Sequence, residues 1–273
     1  MEKKDFKKTN WKTTDKRFVA FLDILGFKDK IMRNTHSEIY DELSKLSKVK
    51  SHLEKVASKT NESPIYQDAD IYIVSFSDSI VIFSKNDDYE NFEFFLISLR
   101  YFFSNAIANK IAIKGGMAYG EISLNKQEQI YFGQPIIDAY LLEEDVNYFG
   151  VVAHNSIDKY INDNNSKILS SKIIEQILFK GKTPLKCGKI HHTNLDWFAM
   201  SLNPNKIDKK TEEERKKETE EQRKERKHTE VMDELEKFNL SVSGSARRYV
   251  DNTIELFLDL TSKDLINLKE VKL

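Results

Sequence analysis

Arg17-Phe-Val-Ala-Phe-Leu-Asp23-Ile-Leu-Gly26-Phe27 is a run of strand-forming apolar residues, interrupted by one acid and closed by a Gly-Phe turn. It reads as a strand, then a loop, then a helix. A carboxylate set in such a strand is costly to bury as a charge unless a cation or a paired donor meets it. Asp23 is therefore either a strand-end acid that caps the following loop or a ligand for a positive partner.

Working toward the C-terminus, Ile39, Leu43, Leu46, Val49, Leu53 and Val56 recur at spacings of three and four. That period predicts an amphipathic helix over residues 36–59, packed on a sheet. Two β-rich runs follow, Asp70–Phe76 and Ser79–Phe83, with Ser77-Asp78 between them. They predict a hairpin with Asp78 at or beside its tip. Asp78 thus repeats the anomaly of Asp23, and two such acids on neighbouring strands could share a hard divalent ion. Magnesium takes few carboxylates and completes its shell with water and phosphate oxygens, so a triphosphate is a natural third party.

Residues 89–109, dense in aromatics, read as a long buried helix. Ile111–Ile122 reads as a strand with a glycine pair, and Ile130–Glu143 as a turn running into a helix with Pro135 in its first turn. Val151–His154 is another short strand. The order describes an α+β, ferredoxin-like βαββαβ core with helices on one face of an antiparallel sheet. A helix over 167–179 and a strand over 196–201 extend it, and Ala246–Leu260 reads as a closing helix.

Working outward to the termini, residues 1–16 are polar and read as a flexible arm, with the main domain at 17–203. Between Ile207 and Val231 there is no apolar residue. The segment 204–237 therefore reads as a charged insertion, either a solvated helix or disordered; it lacks the a/d seam of a coiled coil. Residues 238–273 return to the domain. With 43 basic and 44 acidic residues among 273, the net charge of -1 calls for neither DNA nor an anionic membrane as partner. The single Cys187 excludes a disulfide framework and suits a reducing, cytoplasmic setting. No apolar run reaches the roughly 18–20 residues that span a bilayer, and no h-region follows the basic N-terminus.

Phe21-Leu-Asp23-Ile24-Leu-Gly26-Phe27 resembles the signature of the class III adenylate and guanylate cyclases. The resemblance extends through Phe76-Ser-Asp78-Ser, Lys114-Gly-Gly-Met-Ala-Tyr-Gly120 and Phe132-Gly-Gln-Pro-Ile-Ile-Asp-Ala139, covering residues 17–155. It implies two Mg2+ or Mn2+ ions per active site, held by Asp23, the Ile24 carbonyl and Asp78, with the Gly26-Phe27 turn receiving phosphates. With the late Arg248-Tyr-Val-Asp-Asn-Thr-Ile segment, the set is most similar to the bacterial pyrimidine cyclases of Pycsar antiphage systems. That family makes cyclic UMP or cyclic CMP from UTP or CTP, and the product activates a separate effector. A homodimer with sites at the subunit interface is implied by the resemblance alone.

The departures are informative. Where purine cyclases carry a lysine and an aspartate that read the purine edge, this chain has Val74 and Ile130; where they carry the Asn and Arg that stabilise the transition state, it has Ile137 and Leu141. A site without polar partners has little reason to select a purine. Candidate cations for the phosphates are Lys28 and Lys30 beside the turn, Lys114, which the resemblance also places in catalysis and base binding, and Arg247 or Arg248. Tyr66 and Tyr72 are candidates to stack on a base. Blander readings apply to His191-His192 as a surface turn, Cys187 as a buried or idle thiol, and Glu143-Glu144-Asp145 as a solvated helix end. A purine cyclase with an altered pocket and a catalytically inert nucleotide-sensing module are the competing readings.

Overall fold

A computed structural model describes residues 8–62, 65–164, 168, 172–198 and 219–270. The first half alternates as expected: β1 (Thr14–Ile24), α1 (Phe27–Arg33), α2 (His36–Ser58), β2 (Ile71–Phe76), β3 (Ser79–Ser84), α3 (Tyr89–Ala108) and β4 (Ile113–Asn125). Spatially these strands run β2-β3-β1-β4, the ferredoxin-like order, with antiparallel neighbours. β5 (Ile130–Phe132) folds back on the end of β4, and α4 (Gln134–Asp145) leads to β6 (Val151–Ala153), which lies parallel to β4. After α5 (Asn155–Asp163) and α6 (Lys172–Ile177), β7 (Leu178–Leu185) and β8 (Gly188–Leu195) complete an eight-stranded sheet. α7 (Glu220–Ser241) and α8 (Arg247–Glu270) follow.

Alternation along β1 sorts the two layers. Phe18, Ala20, Leu22 and Ile24 face the main core, which they share with α2, α3, α5 and parts of α7 and α8. Val19 belongs to a second, smaller cluster on the other face, with Phe21 packed against it. α4 is the helix on that second face, so the helices are not all on one side as expected. Gly116 permits this: a Cβ there would sit 2.3 Å from the Ala139 carbonyl oxygen.

Several further expectations change. Residues 8–13 are not a loose arm, because Thr9 holds Asp68 through its amide (2.7 Å) and hydroxyl (2.6 Å), and Trp11 Nε1 donates to Asp70 Oδ2 at 3.0 Å. β1 also starts three residues before Arg17. Leu178 and Phe179 belong to a strand rather than a helix, and Asp196–Phe198 follow β8 instead of forming a strand. His191 and His192 lie within β8, and Cys187 is exposed in the β7–β8 turn, its thiol 3.6 Å from Asp145 Oδ2. From Glu220 onward the charged segment is α7, which buries Val231, Leu235 and Phe238 in the core; residues 204–218 of that expectation lie outside the described residues. No described helix is long and apolar enough to cross a membrane.

Candidate active site

β1 and β3 bring the two acids to one end of the sheet. Asp23 pairs with Ser79 in the antiparallel register, and the Ile24 amide donates to the Asp78 carbonyl at 3.0 Å. The connection from β2 to β3 is two residues long, with Ser77 at φ 57°, an uncommon conformation for a residue with a Cβ. That tight turn holds Asp78 beside the end of β1, as the sequence predicted.

Asp23 faces the α4 layer, directly across from Lys114 on β4. Lys114 is buried and fully engaged: Nζ lies 2.9 Å from Glu143 Oε1 and donates to the Glu143 and Glu144 carbonyls at 2.7 and 3.4 Å. It neutralises the C-terminal end of α4, where carbonyls lack helical partners and the dipole is negative. Glu143 is therefore buried and ion-paired, not a solvated helix end. Burial raises its pKa, opposed by Lys114. The consequence for Asp23 is electrostatic: burial first, then Glu143 and Asp78, push its pKa up to about 6, with Lys114 acting in the opposite direction.

This acidic end fits a divalent cation. Asp23, Asp78 and the Ile24 backbone supply hard oxygen donors suited to Mg2+ or Mn2+. Among the described residues no three His, Cys, Asp or Glu side chains cluster as a complete protein shell, so phosphate or water would supply the rest. Just past Asp23, Gly26 has φ 72° at the start of α1, and the turn is tied down by the Leu25 amide donating to the Ala112 carbonyl at 2.9 Å. Phe27 is buried beneath it, while Lys28 is exposed and Lys30 pairs with Glu42.

The remaining sequence candidates separate. Arg247 and Arg248 are exposed in the first turn of α8. This helix docks near the same sheet end, since Asn252 Nδ2 donates to the Asn147 carbonyl at 2.7 Å and the Phe149 amide to Thr253 Oγ1 at 2.8 Å. Tyr66 is not brought to the acids: it precedes the opposite end of β2, packs against Phe94, and donates its hydroxyl to Glu93 at 3.0 Å. Tyr72 is also elsewhere, four residues back along β2, where its hydroxyl meets that of Tyr131 at 2.9 Å and Trp11 lies edge-on to its ring. Both tyrosines fill packing positions whose aromatic character alone could not reveal their partners.

Val74 is half-buried in the second cluster and Ile130 is exposed on β5. Ile137 and Leu141, 51% and 55% exposed, form an apolar stripe on α4 with Tyr140, near exposed Phe132. The carboxylate that sequence reasoning missed is Glu143. Its signal was the lone Lys114 in a buried strand, which demands an anionic partner.

No protein-family model matches the chain, and no curated protein matches it. Among solved structures, the chain is similar to a bacterial light-regulated adenylyl cyclase (10% identity, TM-score 0.45, 68% of this chain and 92% of that one). It is similar to the catalytic core of a rhodopsin-guanylyl cyclase with converted specificity in complex with ATPαS (13%, TM-score 0.46, 66% and 94%). It is also similar to the monomeric guanylyl cyclase domain of the RhoGC fusion protein from the aquatic fungus Blastocladiella emersonii (14%, TM-score 0.44, 69% and 98%).

Proposed function

We propose that this chain is a metal-dependent nucleotide cyclase that converts UTP or CTP to the 3′,5′-cyclic monophosphate and pyrophosphate, generating the signal of a bacterial antiphage defence system. The observation that carries the reading is the pairing of Asp23 and Asp78 at one sheet end, joined by the 3.0 Å Ile24 to Asp78 backbone hydrogen bond. The ordered motifs of the sequence support the class, and the apolar Val74 and Ile130 support a pyrimidine over a purine.

In the reaction, the ribose 3′-hydroxyl gives up its proton to solvent, its oxygen attacks the α-phosphorus in line to form a new O–P bond, and the bond to the bridging oxygen breaks to release pyrophosphate. Mg2+ or Mn2+, when bound, would supply acidification of the 3′-hydroxyl and neutralisation of phosphate charge. Asp23 and Asp78 hold that cation site, and the Gly26-Phe27 turn and Lys28 receive phosphate oxygens. Lys114 acts by holding α4 and Glu143 against Asp23, a positioning role rather than contact with the base. Arg247 and Arg248, exposed at the start of α8, are further candidates for a cation toward the leaving group. The exposed Ile137, Tyr140 and Leu141 stripe supports a homodimer with shared sites. The product would then act on a separate effector.

The test is incubation of the chain with Mn2+ and each of the four nucleoside triphosphates, with products identified by mass spectrometry. UTP or CTP should be cyclised, and Asp23→Ala or Asp78→Ala should lower the rate at least about a hundredfold. Conversion of ATP or GTP alone refutes the pyrimidine assignment. A second reading is favoured by the apolar Ile137 and Leu141 and the engaged Lys114: an inert nucleotide-sensing module, which binding without turnover would establish.

A further inference from the structure

On the face of the sheet opposite Asp23, the alternation of β2 fails at its last core-facing position. Ile71 and Ile73 are buried beneath α2, but the next residue in that register, Ser75, is exposed. α2 fails in the complementary way. It buries Leu46, Val49, Leu53 and Ala57, while Ser44 and Ser47 occupy its earlier turns where they meet the end of β2. Serines opposite serines leave a gap that larger apolar side chains would have closed.

The gap is a pocket of about 320 Å³. Its floor is apolar, formed by Ile24, Ile73 and Ile80, and its walls carry the hydroxyls of Ser44, Ser47, Ser75 and Ser77 together with Lys50. Among the described residues none of these four hydroxyls has a hydrogen-bond partner. Lys50 is held only by a long, half-exposed contact of 3.9 Å with Glu54. The volume falls in the range of small-ligand sites, which combine apolar walls with a few converging polar groups. Hydroxyl donors around an isoleucine floor, with one cation, suit a ligand that is apolar at one end and anionic at the other.

The pocket also touches the acids from behind. Ile24 directly follows Asp23 with its side chain on the opposite face, and Ser77 directly precedes Asp78 in the tight turn at φ 57°.

We propose that this pocket binds a small amphipathic anion, an apolar body bearing one carboxylate, sulfonate or phosphate, and that its occupancy steadies the turn that presents Asp78. The binding claim stands on the pocket alone; the effect on divalent-ion affinity rests on the function proposed above.

The probe is anilinonaphthalene sulfonate, an aromatic sulfonate whose fluorescence rises in apolar sites, titrated into the full chain. Saturable binding of one dye per chain is expected. Ser47→Trp, at an exposed helix position that can take a large side chain, should fill the pocket and weaken binding at least about tenfold. Lys50→Gln should weaken it roughly fivefold. Leu141→Asp, which alters the separate apolar stripe on α4, should leave it unchanged. Absence of saturable binding, or dye that survives Ser47→Trp and is lost with Leu141→Asp, overturns the site. Displacement of the dye by magnesium-UTP would place it within the substrate site and overturn its separate identity. In a Mn2+ titration, bound dye should lower the half-saturating concentration about twofold or more, and a rise overturns the coupling. An unchanged midpoint overturns the coupling while leaving the binding arm decisive, and a chain that binds no Mn2+ at all counts against the cyclase reading rather than the pocket.

Discussion

Replacing Lys114 with Met tests the buried ion pair that braces the acidic end. Lys114 and Glu143 are both nearly inaccessible to solvent, and the ammonium meets the Glu143 carboxylate at 2.9 Å and its carbonyl at 2.7 Å. Removing one partner of such a pair leaves a buried charge uncompensated and costs about 3–5 kcal/mol. For a domain of this size that is a fall in Tm of roughly 6–20 °C. Because the stranded Glu143 then has a folded pKa further above its unfolded value, the penalty is absent below the unfolded pKa of about 4, grows as pH rises from there toward the folded pKa, and levels off above it. Unfolding by urea across that range measures it. The double variant Lys114→Met with Glu143→Leu should recover most of the loss, since an apolar pair often replaces a buried ion pair without cost. A loss below about 1 kcal/mol, or a double variant no better than the single one, refutes the reasoning.

Three further outcomes follow from the same geometry. Gly116→Ala places a methyl group against the Ala139 carbonyl and should destabilise the chain by about 1–3 kcal/mol through displacement of α4, read by chemical denaturation. Trp11→Ala removes the ring that lies 5.1 Å from the fully buried Arg17 guanidinium and 3.6 Å from Lys126, and should cost about 1–2 kcal/mol in the same assay. Asp23, with its pKa pushed up to about 6, is protonated in acid and ionised above that value, so Mn2+ should raise Tm more at about pH 8 than at about pH 5. Equal shifts at both would show that Asp23 is not part of the ion site.

The core strands and helices were legible because their residues report their own neighbours. The period of Ile39 through Val56 can be satisfied by a helix on a sheet, and the two β runs around Ser77-Asp78 can hardly fail to pair. The β7–β8 hairpin was not legible, since its buried positions do not alternate and its pattern is diluted by exposed lysines and histidines. The docking of α7 was hidden in the same way, because three buried residues, Val231, Leu235 and Phe238, follow a long charged tract.

The sequence by itself determined the succession of strands and helices, the two acids at strand ends and the glycine-phenylalanine turn, because each depends on residues close together in the chain, whereas the spatial order joins β1 to partners such as Ser79 and Lys114 far along it. Tertiary structure alone decided that Glu143 is buried against Lys114, that Tyr66 and Tyr72 are committed to packing elsewhere, and that α4 lies on the second face of the sheet. Those outcomes depend on contacts such as Lys114 with Glu143, 29 positions apart, and on backbone approach at Gly116. Burial of a charge is a property of the surroundings that folding assembles, and no local pattern of residues contains it.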